Sequence, residues 1–338
     1  MKKKLLRIIT IVLLVILILA VSTLAAGAIA KSNLAKQHPA PGQLVDVGGY
    51  KLHLYCVGEG GPTVVLAAGM GDFSVIWNPV QLEIAKTTRV CSYDRAGYGW
   101  SDPSPEPVTA SLMAEELHTL LVNANVPGPY VMVGHSLSGL IVRVFAYNYP
   151  DEVAGMVLVD STHEEQYLRL TASVPEFGEM LQIGFEKGKG QNRFFGFLSS
   201  TGIMALMPQM IPNPAGFDED TFEQCKAIWA TTGFFETYVA ETDALENILA
   251  DTRSMHITSF GDLPLIVLSA GLFEPIPTLS EAENQKFHET QQELQSSFLM
   301  LSSESKQIIA KQSGHFIHSD QPDIVIDAIR EILHAVQD

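Results

Sequence analysis

The chain has 338 residues, 46% of them hydrophobic, and a formal net charge of −17. That length fits one large α/β domain with an inserted subdomain, and the apolar content supplies a buried core, which excludes a disordered chain. The acidity leaves nothing to attract a polyphosphate backbone, so nucleic-acid binding is excluded as a function class.

The basic residues Lys2, Lys3, Lys4 and Arg7 precede an uncharged run from Ile8 to Ala30. Such a run reads as a cleaved signal peptide, with Ala28-Ile29-Ala30 as its small-residue site, or as a retained transmembrane anchor, for which about 20 apolar residues suffice. Its length favours the anchor. Either way the basic cluster stays cytoplasmic and the remaining chain is sent outward, anchored or secreted. Residues 31–42 are polar with two prolines and read as a tether.

Strand and helix patterns alternate from there. Gln43–Val47 and Tyr50–Val57 flank Gly48-Gly49, a hairpin signal. Pro62–Ala67 and Thr88–Tyr93 read as short strands with a helix over Ile76–Ala85 between them. Val108–Ala124 carries an i, i+4, i+7, i+8 apolar stripe through Met113, Leu117, Leu120 and Leu121, which predicts a helix. Tyr130–Val133 is an apolar strand, and Leu137–Tyr149 a helix stopped by Pro150. Ala154–Val159, Leu263–Leu268 and Gln307–Ala310 are further strands, and a last helix runs from about Pro322 to Val336. The alternation predicts a mostly parallel sheet covered on both faces, with an antiparallel edge from the opening hairpin. Residues 161–260 hold no convincing strand. Gly184, Gly188 and Gly190 read there as a turn, and Phe194, Phe195, Phe197, Met204, Met207 and Met210 as part of an inserted helical cap. Those side chains either form the cap's own core or line an apolar pocket over the reacting serine.

The sharpest motif is Val131-Met132-Val133-Gly134-His135-Ser136-Leu137-Ser138-Gly139-Leu140. A strand enters a tight turn that holds a serine, and an amphipathic helix leaves it. The turn lifts the hydroxyl clear of the sheet and sets it at a helix N-terminus, where backbone N–H groups lack partners. Positions two before and two after the serine must be small, and Gly134 and Ser138 are. Ser138 cannot be the reacting serine itself, because Leu140 would then crowd the turn. His135 reads as a packing residue.

This motif, with Tyr93-Asp94-Arg95-Ala96-Gly97-Tyr98-Gly99-Trp100-Ser101-Asp102 and Gly314-His315-Phe316-Ile317-His318-Ser319-Asp320-Gln321-Pro322, resembles the α/β-hydrolase fold family, in its lipase, esterase and aminopeptidase-like group. The resemblance runs from about residue 43 to 337. It implies an eight-stranded, mostly parallel sheet whose core is residues 43–160 and 261–338, with residues 161–260 as a helical cap after strand 6. It implies Ser136 as nucleophile and His315 as general base, since only His315 follows the glycine at that loop. His318 competes less well, and His315, His318 and Asp320 lack a fourth partner for a metal site. Two carboxylates compete as the acid: Asp160, ending the sixth strand, comes first, and Glu274, after the seventh strand in Gly271-Leu272-Phe273-Glu274, is the alternative. The oxyanion donors would be the Leu137 and Met70 amides, the latter in Ala68-Gly69-Met70, where relatives often carry a histidine.

In this fold the second and fourth strands are neighbours, so Cys56 and Cys91 are a candidate disulfide pair. Cys225 reads as a lone buried thiol. The expected function is a carboxylic-ester hydrolase acting through an acyl-serine on a small to medium, partly apolar substrate, with no cofactor. Relatives with the same triad cleave amides at peptide N-termini or transfer acyl groups, and a non-catalytic binding module is a further alternative. Dehalogenases and epoxide hydrolases of the family need aspartate where Ser136 stands.

Overall fold

The computed structural model describes residues 2–211, 213 and 218–337. It opens with a long apolar helix, α1 (Lys2–Gln37), then the strands β1 (Gln43–Asp46), β2 (Lys51–Val57) and β3 (Thr63–Ala67). The run of helical residues does not stop at Ala30, so most of the expected tether is the last two turns of α1. Polar residues there continue the helix because Ala30, Lys31 and Leu34 keep one face against the cap.

Helix α2 (Asn78–Ile84) leads to β4 (Val90–Tyr93), and α3 (Ala110–Asn123) to β5 (Tyr130–His135) and α4 (Ser138–Asn148). Strand β6 (Val153–Val159) is followed by five cap helices: α5 (Gln166–Ser173), α6 (Pro175–Ser200), α7 (Ile203–Leu206), α8 (Glu219–Thr231) and α9 (Phe234–Ser254). The core resumes with β7 (Leu265–Ala270), α10 (Glu281–Ser297), β8 (Ser305–Ala310), α11 (Ile317–Asp320) and α12 (Pro322–Ala335).

The eight strands form one sheet in the order β1-β2-β4-β3-β5-β6-β7-β8. Strand β2 is antiparallel to both neighbours, and the remainder pair in parallel. Side-chain alternation along buried strands feeds two cores. Met132, Leu158 and Val267 meet Leu117 and Leu120 of α3 and Ile141 and Phe145 of α4 on one face. Val131, Val133, Val157 and Ile266 meet Val80 and Ile84 of α2 and Val325, Ile329 and Ile332 of α12 on the other. Cys56 and Cys91 face each other across β2 and β4 and are joined by a disulfide. Cys225 is a free buried thiol on α8.

Two elements differ from the sequence pattern. Gly184, Gly188 and Gly190 lie inside α6 rather than in a turn. Docking overrides their poor helix propensity: α6 packs on α9, and at Gly196 a Cβ would stand 2.8 Å from Glu236 Oε1. Helix α10 has no counterpart in the strand-and-helix reading. It buries only Phe287 and Leu294 among its large apolar residues, so it shows little apolar stripe, although Ser280 and Glu283 close a full capping box at its start.

Strand order reverses at β3 and β5, which lie side by side with Ala67 opposite Gly134. A crevice at the carboxyl ends of such strands is where open α/β sheets place their ligands.

Candidate active site

Ser136 leaves β5 with φ of +50°, a left-handed conformation that costs a non-glycine residue energy and persists only where its surroundings fix it. They do so closely. Ser136 N donates to Val159 O at 3.1 Å, and Thr162 N donates to Ser136 O at 2.9 Å. A Cβ at Gly134 would lie 2.6 Å from Ser138 O, and one at Gly139 only 1.7 Å from Ser161 Oγ. Only hydrogen fits at either position, so these glycines let strand, turn and helix close on one another.

The side chains converge at the carboxyl ends of β5, β6 and β8. Ser136 Oγ donates to His315 Nε2 at 2.9 Å, and His315 Nδ1 donates to Asp160 Oδ2 at 2.6 Å. An ionised carboxylate can only accept, so this pairing fixes the proton on Nδ1 and leaves Nε2 free to receive one. Asp160 follows β6, and its other oxygen, Oδ1, accepts from Ala270 N at 3.0 Å. Glu274 is exposed beyond β7; among the described residues, Asp160 is the carboxylate that meets His315. Burial in the site pushes His315 down, but the hydrogen bond and charge of Asp160, with the nearby Asp72, outweigh it and hold the imidazole above the ordinary histidine value.

The loop after β3 passes directly over the serine. A Cβ on Gly69 would come within 3.1 Å of Ser136 Cβ and 2.8 Å of His135 Nδ1. Met70 follows Gly69 and lines the same cavity as Ser136, and Leu137 follows Ser136 in the chain. Ser138 is tied into this loop: its hydroxyl donates to Ala68 O at 2.5 Å. Arg95 donates to the same carbonyl and to Gly69 O at 2.9 Å. Its charge is matched by Glu241 of α9 at 3.0 Å, and Tyr98 donates to that carboxylate at 2.7 Å. All three of these side chains are buried, so a cap helix locks the loop through a desolvated ion pair. The serine at position 138 and this arginine supply the ordering that a histidine at Ala68 would otherwise give.

A second buried cation steadies the Asp160 segment. Arg143 of α4 pairs with Glu164 at 2.8 Å, donates to Thr162 O and lies over the Phe298 ring. His135 is more than packing: its Nε2 donates to the His315 carbonyl at 3.0 Å, bracing the loop that carries the base. Burial holds it well below the ordinary value, hence neutral, and holds the adjacent His318 at about 3. His318 packs against the rings of Trp77 and His135. Asp72 lies 3.7 Å from His135 Nδ1, and burial raises its carboxyl to about 6.

A cavity of about 280 Å³ opens over Ser136. Its walls decide between the two readings of the cap's Phe and Met residues, none of which lines it. Tyr167 and Gln166 of α5 and Gln291, Gln292 and Gln295 of α10 line it, with Phe273 and Phe316. Phe195 and Met204 pack instead against the cap core, and Phe194, Phe197, Met207 and Met210 face outward. Gln295 donates through Nε2 to Ser161 O at 2.7 Å, which turns its Oε1 the other way, buried and with no partner among the described residues.

A family model described as alpha/beta hydrolase fold matches residues 62–199. The chain has the α/β-hydrolase fold. The Bacillus subtilis protein YqjL is 29% identical over 277 residues, covering 81% of this chain and 85% of its own. Among solved structures, the thermophilic esterase from Thermogutta terrifontis is 20% identical with a TM-score of 0.56, covering 88% of this chain and 99% of its own. The Cif epoxide hydrolase from Acinetobacter nosocomialis is 14% identical with a TM-score of 0.64, covering 92% and 96%. These two likenesses establish the fold and leave the reaction to the site.

Proposed function

We propose that the protein is a carboxylic-ester hydrolase working through an acyl-serine intermediate, with Ser136 as nucleophile, His315 as base and Asp160 as its acid partner. The observation that carries this reading is the unbroken relay from Ser136 Oγ through His315 to Asp160 Oδ2, at 2.9 and 2.6 Å, ending on a serine held at positive φ. Ser136 attacks the ester carbonyl as its proton passes to His315 Nε2, and the imidazolium returns that proton to the departing alkoxide. Water, activated by the same nitrogen, then releases the acid and regenerates the serine. The amides of Met70 and Leu137 serve the developing oxyanion. The fold hosts both esterases and epoxide hydrolases among its solved members, and a serine at the turn favours the ester reaction.

The pocket favours a substrate with hydrogen-bonding groups over a purely hydrocarbon one. Gln295 Oε1 calls for a donor, and the acidic Asp72 repels a carboxylate, so an uncharged or cationic ester carrying a hydroxyl or amide N–H fits best. A lactone of that kind is consumed by the same chemistry. Helix α1 is long and apolar enough to cross a membrane, and we read it as a retained anchor with the hydrolase domain outside the cytoplasm. Gly27, buried against the cap at Gly202, lies before the small-residue site, so cleavage there would strip off a packed residue.

A panel of p-nitrophenyl acyl esters, the matching anilides and styrene oxide tests the reaction class. Ester turnover with a pre-steady-state burst is expected. Opening of the epoxide without ester turnover would overturn the proposal.

A further inference from the structure

Between Lys187 and Met210 the sequence holds Lys187, Lys189 and Arg193 but no acidic residue, although the whole chain carries 38 acids. This stretch is the second half of α6 and the segment through α7. On α6, Ile183, Lys187, Gly190, Phe194 and Phe197 are all exposed and recur at intervals of four and three, so they share one helix face. Phe194 and Phe197 are each 59% exposed, and Leu206, Met207 and Met210 extend the apolar surface past α7.

This surface adjoins the place where the N-terminal helix lands. Helix α1 turns Gly27, Ala30, Lys31 and Leu34, at i, i+3, i+4 and i+7, onto α7 and α8. A Cβ on Gly27 would stand 2.7 Å from Thr201 O, and one on Gly202 would stand 2.3 Å from the Gly27 carbonyl carbon, so the two backbones touch. Lys31 Nζ donates to Ser199 O at 3.4 Å. From Ile8 to Gly27 is about 28 Å along a helix, close to the roughly 30 Å of a bilayer's hydrocarbon. Gly202 therefore sits level with the outer boundary of a membrane spanned by α1, and the C-terminal turns of α6 lie beside it.

We propose that the exposed face of α6 with the α7 segment is a second membrane contact, seated in the outer leaflet with Phe194, Phe197 and Met210 among the acyl chains and Lys187 and Arg193 at anionic headgroups. This rests on the reading of α1 as a spanning anchor. Aromatic and aliphatic side chains flanked by Lys and Arg are the composition of an interfacial helix. In a chain of net charge −17, an acid-free basic stretch is the part an anionic surface would attract rather than repel. The contact adds a second point of attachment beside α1, which already packs on α7 and α8, and so sets the tilt of the hydrolase domain on the bilayer.

The test uses the full-length chain reconstituted in phosphatidylcholine vesicles containing one quarter phosphatidylglycerol, with or without brominated acyl chains. Added tryptophan emission is followed in Phe197→Trp, in Leu17→Trp on α1 and in Met300→Trp on the exposed turn before β8, each against the parent. The emission added by Phe197→Trp should fall at least two-fold in brominated vesicles and resist aqueous iodide, while that of Met300→Trp should do the reverse. Quenching of the Phe197→Trp signal by iodide, or shielding from both quenchers as a second protein copy would give, overturns the proposal. If the Leu17→Trp signal escapes brominated lipid, the anchor reading fails as well; if it is quenched and the Phe197→Trp signal is not, only this inference falls.

Discussion

Asp160→Asn is the substitution whose consequence follows most closely from the geometry. Two donors converge on this carboxylate, His315 Nδ1 on Oδ2 and Ala270 N on Oδ1. An asparagine has one carbonyl oxygen to offer two donors. If that oxygen keeps the Ala270 amide, its NH₂ faces Nδ1 and forces the proton onto Nε2, where His315 can no longer accept from Ser136. If it turns to His315, the strand-end amide loses its partner and the imidazolium still loses its counter-charge. Loss of the correct tautomer in such triads costs about 10³–10⁴ in kcat, or roughly 4–5.5 kcal/mol of barrier. The pH profile carries the sign. Asp160 holds His315 above the ordinary value of 6.5, so the rising limb of kcat/KM should lie above that pH in the parent. In Asp160→Asn the limb should move to lower pH while the plateau drops. The assay is steady-state ester hydrolysis across pH 5–9, with Glu274→Gln as the companion. A loss below ten-fold in Asp160→Asn, or a larger loss in Glu274→Gln, would refute the assignment.

Glu241→Gln leaves Arg95 buried without its counter-charge, which should cost about 3–5 kcal/mol in urea unfolding at unchanged m-value; a cost under 1 kcal/mol would mean the pair is solvated and does not lock the loop. Gln295→Leu should raise KM about ten-fold for an ester bearing an amide or hydroxyl donor and leave p-nitrophenyl acetate unaffected. Equal effects on both esters would remove Gln295 from substrate recognition. Replacing Cys56 and Cys91 together by serine opens a loop of 35 residues, and the loop-entropy relation gives about 4 kcal/mol of lost stability. Calorimetry that finds no change would place the cost elsewhere.

The sequence exposed those parts of the site that rest on local sterics. The turn at Ser136 needs hydrogen at Gly134 and Gly139, and those glycines stand out in the text of the chain. His315 is marked by its glycine and by the helix start at Pro322. The choice between Asp160 and Glu274 turns on which strand end faces the imidazole, and only the pairing of β5, β6 and β7 supplies that. Arg95 stood within a motif that pointed to the fold, but its partner Glu241 lies 146 residues away on a helix whose register no local signal sets. The pocket wall was missed for a related reason: α10 presents glutamines, which carry no periodic apolar signal, and the cap's Phe and Met side chains face its core or the outside instead. Ser138 reads in the sequence only as a residue small enough for the turn, and in the fold its hydroxyl is also a hydrogen-bonded tie to Ala68.

The central claim is that Ser136 is activated by His315 for covalent chemistry. Treating the full-length protein with a fluorophosphonate, followed by peptide mapping, tests it most directly. The account predicts one stoichiometric adduct on Ser136, lost in Ser136→Ala and slowed by orders of magnitude in His315→Ala. An unlabelled parent, or an adduct that persists in Ser136→Ala, would contradict it.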